Sequence, residues 1–99
     1  MTQNVIKIKF QNDNKGDALS WEDYERKIMR DLETGHVSSY KVYMKNAMPI
    51  SEINGVINEL CNTISYHYNY VTKSYRNEEC AVAGSNDMLL SATYYIELK

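Results

Sequence analysis

The chain has 99 residues, of which 43% are hydrophobic, and its formal net charge at pH 7 is −2. A chain of this length buries roughly two-thirds of its unfolded surface, so we expect one domain, residues 1–99, whose core needs neither disulfides nor metal. The near-neutral charge excludes a protein that is basic throughout and a strongly acidic mimic of nucleic acid. Nine tyrosines stand against one tryptophan and one phenylalanine, and tyrosine suits half-buried positions and interfaces.

Residues 4–10 alternate polar and apolar side chains, which predicts a β-strand rather than the apolar run of a signal peptide. No stretch of the chain is long and apolar enough to cross a bilayer. We therefore expect a cytoplasmic protein that does not associate with membranes. In that compartment Cys61 and Cys80 are expected to be reduced, with a disulfide between them as the minor alternative.

A helix is predicted between Ser20 and Gly35. The Ser20 hydroxyl can cap the first turn, with Asp23 at the reciprocal capping-box position, and glycine is the usual residue at a helix end. The predicted buried face consists of Trp21, Tyr24, Ile28 and Leu32.

A second strand is predicted over residues 37–46. Alternation separates its two faces, with Tyr40, Val42 and Met44 on one side and Lys41, Tyr43 and Lys45 on the other. Pro49 is expected to end this strand, and Ser51 is expected to cap the helix that follows.

Residues 53–75 carry apolar side chains at intervals of three and four, which predicts one long continuous helix. The apolar stripe consists of Ile53, Val56, Ile57, Leu60, Ile64, Tyr68, Val71 and Tyr75. At about 100° per residue, Tyr66 and Tyr70 fall on the opposite face. Because exposed aromatic patches usually have a function, these rings are expected to be covered by another layer of the chain or by another molecule.

Residues 81–83 and 88–98 are predicted to form a C-terminal hairpin around a loop at residues 84–87. In the second arm two faces alternate: Leu90, Ala92, Tyr94, Ile96 and Leu98 against Leu89, Ser91, Thr93, Tyr95 and Glu97. The element order β-α-β-α-β-β predicts a two-layer α+β domain, with a small, mainly antiparallel sheet and two helices on one of its faces.

No catalytic or metal-binding motif is present. Neither His36 nor His67 lies in a motif that supplies a nucleophile and an orienting group. Cys61 and His67 are six positions apart, which separates them by more than 100° around a helix, and the chain has no Cys-x-x-Cys or His-x-x-x-His pair. We therefore expect a protein that is not an enzyme and uses no metal or cofactor.

Two surfaces remain as candidate binding sites. The first, called the helix surface, is the outer side of the long predicted helix and consists of Asn62, Tyr66, Asn69, Tyr70 and Lys73. Tyrosine and asparagine combine contact area with adaptable hydrogen bonding, which is typical of surfaces that bind protein. The expected partner is another protein, and self-association into a homodimer is the alternative.

In general character the chain resembles the small inhibitors of phages and mobile elements, such as anti-CRISPR and other anti-defence proteins. The resemblance lies in one small α+β domain without catalytic motifs and in the abundance of Asn, Tyr, Lys and Glu. It implies steric blockade of a host defence effector complex from within the host cytoplasm, with affinity concentrated in a few tyrosines.

The second surface, called the open sheet face, is the side of the sheet without helices and consists of Lys7, Lys9, Lys41, Tyr43, Lys45 and Tyr95. Lysines contact phosphates and exposed rings stack on bases, so this surface resembles that of RNA-recognition modules. The chain lacks the aromatic- and glycine-rich strand motif of that family and has another element order. A nucleic-acid-binding accessory protein is therefore the second hypothesis, and lysines that only keep the sheet soluble are the simplest interpretation.

Overall fold

The computed structural model describes residues 5–12, 21–35, 39–44, 46–84 and 87–99. Two helices and five strands follow one another in these residues. They are β1 (Val5–Asn12), α1 (Trp21–Thr34), β2 (Ser39–Met44), β3 (Met48–Pro49), α2 (Ile50–Tyr68), β4 (Thr72–Ala81) and β5 (Met88–Leu98). The predicted α+β class is confirmed.

The sheet is mixed but mainly antiparallel. Its order is β2-β1-β5, with β4 on the other side of β5, and β3 pairs with the first two residues of β5. β1 and β2 are parallel and are connected through α1, whereas β5 is antiparallel to β1, β3 and β4. In the described residues β2 and β4 are therefore the two edges of the sheet.

One hydrophobic core lies between the sheet and the two helices. Alternating residues of three strands supply the sheet side of this core: Ile6, Ile8, Phe10, Tyr40, Val42, Met44, Ala92, Tyr94, Ile96 and Leu98. The helices add Tyr24, Ile28, Ile53, Ile57, Leu60 and Ile64. Each fully buried Ile or Leu side chain contributes roughly 1.5–3 kcal/mol relative to an exposed one. Both helices of the described residues lie on this one side of the sheet, as predicted.

The first helix agrees with its sequence pattern. Tyr24 and Ile28 are buried, and Trp21 and Leu32 pack against the core as partly buried residues. Gly35 has φ +81 and its N–H bonds to the carbonyl oxygen of Leu32 at 3.1 Å, so the predicted helix end is confirmed. The predicted cap, Ser20, lies outside the described residues.

The prediction of one helix over residues 53–75 is wrong at its C-terminal end. α2 stops at Tyr68, and Asn69 has φ 60, with its N–H bonded to the carbonyl oxygen of Ser65 at 3.2 Å. The chain then enters β4, which pairs with β5 from Thr72 to Asn77 and again at Cys80 and Ala81. Asparagine tolerates the left-handed conformation, and the long partner strand stabilises an extended segment that helical spacing alone does not exclude.

The start of α2 also differs from the prediction. Pro49, with φ −60 and ψ 139, occupies the N-cap position, and no side chain caps the helix. Ser51 lies inside the first turn. The Ile50 N–H instead bonds to the carbonyl oxygen of Asp87 at 2.8 Å, so a contact between distant segments replaces the expected local cap.

The C-terminal hairpin is longer than predicted, because its first arm begins at Thr72 rather than at residue 81. The register shifts between Asn77 and Cys80 and again between Cys80 and Ala81, and Glu78 has φ 53. Such bulges change which face a side chain occupies. As a result Leu89 is buried and Leu90 is exposed, the reverse of the predicted alternation at this end of β5.

Candidate binding surface on the open sheet face

The structure brings most of the predicted open sheet face together. Lys9 lies opposite Lys41 on β2 and opposite Thr93 on β5, while Lys7 lies opposite Tyr95. Residues directly opposite one another on neighbouring strands project from the same face at Cβ separations of about 4.5–5.5 Å. Tyr43 lies opposite Gln11 in the same parallel pair. Lys45, the remaining predicted member, lies outside the described residues.

The fourth strand adds two residues that the sequence pattern had assigned to a helix. Tyr75 lies opposite Tyr95, and Lys73 lies opposite Glu97. Lys73 and Tyr75 therefore project from the open sheet face. The signal that could have revealed this is the two-residue alternation of Val71, Lys73 and Tyr75, which fits a strand as well as their spacing fits a helix.

Lysine charge accumulates at the β1–β2 end of the face. In the described part of the chain, the ion pairs are Arg26–Asp23 and Arg76–Glu79, so Lys7, Lys9 and Lys41 form none. Lys9 and Lys41 are directly opposite each other, an arrangement that is destabilising for like charges. An anion that contacts both ammonium groups would remove this repulsion.

Tyrosine rings form a stack beside these lysines. The rings of Tyr75 and Tyr95 are 5.1 Å apart between centroids with an interplanar angle of 17°. The Nζ atom of Lys7 lies 5.9 Å from the Tyr95 centroid, within the range of a cation–π contact. Tyr75, which is 43% exposed, is therefore the ring of this stack most accessible to a ligand.

Two acidic residues limit the basic region on the β4–β5 side. Glu97 lies between Val5 and Lys73 in the register of the sheet. The left-handed backbone at Glu78 lets its carboxylate accept a hydrogen bond of 3.3 Å from the Thr93 hydroxyl, and Thr93 is only 1% exposed. The face thus has a basic half on β1 and β2 and an aromatic half on β4 and β5.

The predicted helix surface is divided by the end of α2. Asn62 and Tyr66 lie exposed on the helix, whereas Asn69 and Tyr70 follow it and Lys73 belongs to the open sheet face. Tyr66 is 86% exposed, and its ring meets the edge of the His67 ring at 5.2 Å between centroids. The prediction that Tyr66 and Tyr70 lie on the same face of one helix is therefore wrong.

A polar network fixes the edge strand to the rest of the fold. The Arg76 guanidinium donates to the Tyr94 hydroxyl at 3.4 Å and to the Glu79 carboxylate. Tyr94 in turn donates to the Asn54 side-chain oxygen at 2.8 Å. The hydrogen bond to Tyr94, followed by that to Glu79, raises the pKa of Arg76 above its ordinary value. Arg76 is thus a structural cation on the helix side of β4, on the other face of the sheet from the Tyr75 stack.

An apolar cleft opens elsewhere, between the end of the parallel strand pair and the helices. Its volume is about 370 Å³, and its walls include Phe10, Trp21, Val42 and Met48. The buried Trp21 Nε1 has no acceptor among the described residues, and Glu52 is the acidic residue of the lining. This cleft lies on the helix side of the sheet, away from the lysines and the tyrosine stack.

The described residues contain no group of three or more His, Cys, Asp or Glu side chains arranged to hold a metal ion. His67 lies exposed on α2, and His36 lies outside the described residues. Neither described helix has the length and apolar character needed to span a bilayer. No protein-family model matches the chain, and no curated protein or solved structure shows significant similarity to it.

Proposed function

We propose that the protein is a non-enzymatic binding protein whose open sheet face binds single-stranded nucleic acid. One observation carries this proposal: Lys7, Lys9 and Lys41 form no ion pair among the described residues, and Lys7 lies 5.9 Å from the Tyr95 ring that stacks with Tyr75. The lysines supply contacts to phosphates, and the rings supply surfaces on which unpaired bases stack. The proposal places the activity in the cytoplasm.

Single strands fit this face better than duplexes. Bases can stack on aromatic side chains only where they are not already stacked in a helix. Base stacking at the accessible Tyr75 ring requires such unpaired bases. The basic half of the face, about two strands wide at 4.7–4.9 Å per strand, matches a single phosphate backbone rather than two. Because the net charge is −2, the attraction to phosphate comes from the local cluster of lysines on β1 and β2 and not from the charge of the whole molecule.

Fluorescence anisotropy with labelled single strands of about 12 nucleotides, the size that one small domain covers, tests the proposal. If three lysines each neutralise one phosphate, log K should fall with log salt with a slope of about −2. The double variant Lys9→Glu with Lys41→Glu should abolish binding and flatten the salt dependence. Tyr75→Ala should weaken binding by about 1–3 kcal/mol, the value of one stacked base.

Matched controls come from the other side of the molecule. Lys27→Glu changes an exposed lysine of α1, and Tyr66→Ala removes the exposed ring of α2; both should leave the affinity unchanged. Equal affinity for a duplex of the same length would contradict stacking on Tyr75. Binding that Lys27→Glu weakens as much as Lys41→Glu would show that net charge, not this face, is responsible.

A second candidate function is protein binding through the exposed part of α2. Tyr66 is 86% exposed, which is unusual for a large aromatic side chain without a partner. A steric inhibitor of a host defence effector, of the anti-CRISPR type, would use Tyr66 and Asn62 as its contact. In that case Tyr66→Ala abolishes inhibition of the effector while Lys9→Glu with Lys41→Glu leaves it unchanged, the opposite of the result expected above.

A further inference from the structure

In the described residues β4, with 10 residues, is longer than β2, the edge strand on the other side of the sheet, which has 6. β4 pairs only with β5 among the described residues, so its other side presents free N–H and C=O groups. Val71 and Lys99 exchange both of their backbone hydrogen bonds, at 2.9 Å each. Because inward and outward residues alternate along an antiparallel strand, Lys73, Tyr75 and Asn77 also bond toward β5. The outward residues are Thr72, Ser74 and Arg76.

Exposed apolar side chains accumulate along the same edge. Among the described residues, the large hydrophobic side chains left exposed are Tyr66, Tyr70, Val71, Tyr75 and Leu90. Three of these five lie within residues 70–75, at the start of β4. Val71, which directly precedes β4, is 71% exposed. A partner strand at this edge would pair with the backbone groups and pack beside these side chains.

We infer that two copies of the chain pair antiparallel through this edge, with the two-fold axis at Ser74. The regular part of the strand runs from Val71 to Asn77, where the register shift begins. Its middle residue is Ser74, so a symmetric pair centred there uses the whole segment. The bulge at residues 77–80 prevents extension beyond it, which limits the contact to a closed dimer.

The side chains of this register are complementary. On the open sheet face, Lys73 lies opposite Tyr75 of the second copy, and Val71 lies opposite Asn77. On the helix side, Thr72 lies opposite Arg76. Each of these contacts occurs twice because the interface is two-fold symmetric. No like charges meet, whereas centring the pair on Lys73 or on Arg76 would place two cations directly opposite each other.

Sedimentation analysis of the unmodified chain tests dimer formation, which does not depend on nucleic acid binding. The expected mass is twice the 11.5 kDa of the chain. Ser74→Pro removes an N–H that points away from β5, so it spares the internal ladder, as proline does on the outer side of edge strands. The loss of both central hydrogen bonds should raise the dimer Kd about tenfold or more. Lys41→Glu, on the opposite edge strand, should leave the Kd unchanged.

Cysteine cross-linking tests the register without proline. Lys73→Cys chains are mixed with Tyr75→Cys chains, both carrying Cys80→Ser, while Cys61 is buried and stays in place. Facing residues in a non-hydrogen-bonded pair have Cα atoms about 4.5 Å apart, within disulfide range. The mixture should form a disulfide-linked heterodimer, and each variant alone should not. A monomeric mass at all concentrations, or cross-linking of Tyr75→Cys with itself as efficient as in the mixture, would overturn the inference.

Discussion

Substitution of Asn69 tests where α2 ends, the boundary that assigns Lys73 and Tyr75 to the sheet. Asn69 has φ 60, a conformation that costs most L-residues about 1–2 kcal/mol but costs glycine nothing. Glycine in turn loses about 0.4–1 kcal/mol through its greater freedom in the unfolded chain. Asn69→Ala should therefore be less stable than Asn69→Gly by about 1 kcal/mol, taking the difference of these two terms. The backbone hydrogen bond to Ser65 is available to both variants.

A continuous helix through this position predicts the opposite order. There Asn69→Ala would be more stable than Asn69→Gly by about 0.8–1 kcal/mol, the difference in helix propensity. The difference in unfolding free energy between Asn69→Gly and Asn69→Ala therefore changes by about 2 kcal/mol from one arrangement to the other. Urea unfolding followed by circular dichroism resolves this, because an m-value of about 1 kcal/mol/M converts the expected difference into a midpoint shift of about 1 M. A more stable alanine variant would refute the helix end described above.

Three further predictions rest on the surroundings of single residues: two glycines, the two cysteines and Glu25. Gly55→Ala should raise the free energy of unfolding by about 0.5–1 kcal/mol, since the added methyl on α2 meets open space, whereas Gly35→Ala, at φ +81, should lower it. Maleimide should label exposed Cys80 in the native protein and Cys61 only after unfolding, because burial raises the pKa of the Cys61 thiol and blocks access. Burial, and then the charges of two neighbouring glutamates, raise the pKa of Glu25. Its stabilising contribution is complete below its unfolded pKa of about 4.3 and is lost as pH rises through the folded value. Glu25→Gln should therefore raise the free energy of unfolding at pH 7, by less than about 1 kcal/mol in a solvent-screened position, and have no effect below about pH 4.

Local periodicity correctly predicted the elements in which the pattern of the segment itself shows which side is buried. Alternation over β1 and β2 identified both the core side and the lysine side, and the pattern of α1 gave its buried face. The same reasoning failed at residues 68–75, because Tyr68, Val71 and Tyr75 fit a period of 3.6 while residues 71–77 also fit a period of two. Pairing with β5 selects the strand over the helix. Because this pairing joins two separate segments of the chain, the local sequence pattern does not reveal it.

The bulge in β4 was equally hidden from sequence reasoning. Glu78 adopts φ 53 although it is neither glycine nor asparagine, so the residue type at this position did not predict the bulge. Across the hairpin, the Glu78 carboxylate accepts a hydrogen bond from Thr93, which is buried on the open sheet face. A second register shift, which skips Leu90 on β5, accompanies the reversed exposure of Leu89 and Leu90. The candidate site therefore combines lysines predicted from alternation with Tyr75, which only the strand pairing places there.

Strand order, rather than spacing along the chain, makes Lys9 a neighbour of Lys41 and Tyr95 a neighbour of Tyr75. A surface assembled in this way from four strands leaves no linear motif. The same geometry separates the two activities proposed for the sheet. Backbone groups at the edge govern pairing between copies, whereas side chains on the face govern contact with nucleic acid. Ser74→Pro leaves every side chain of the open sheet face in place, so a loss of dimer with retained binding would show that one copy is sufficient. If binding is lost together with the dimer, the functional surface must extend across both copies.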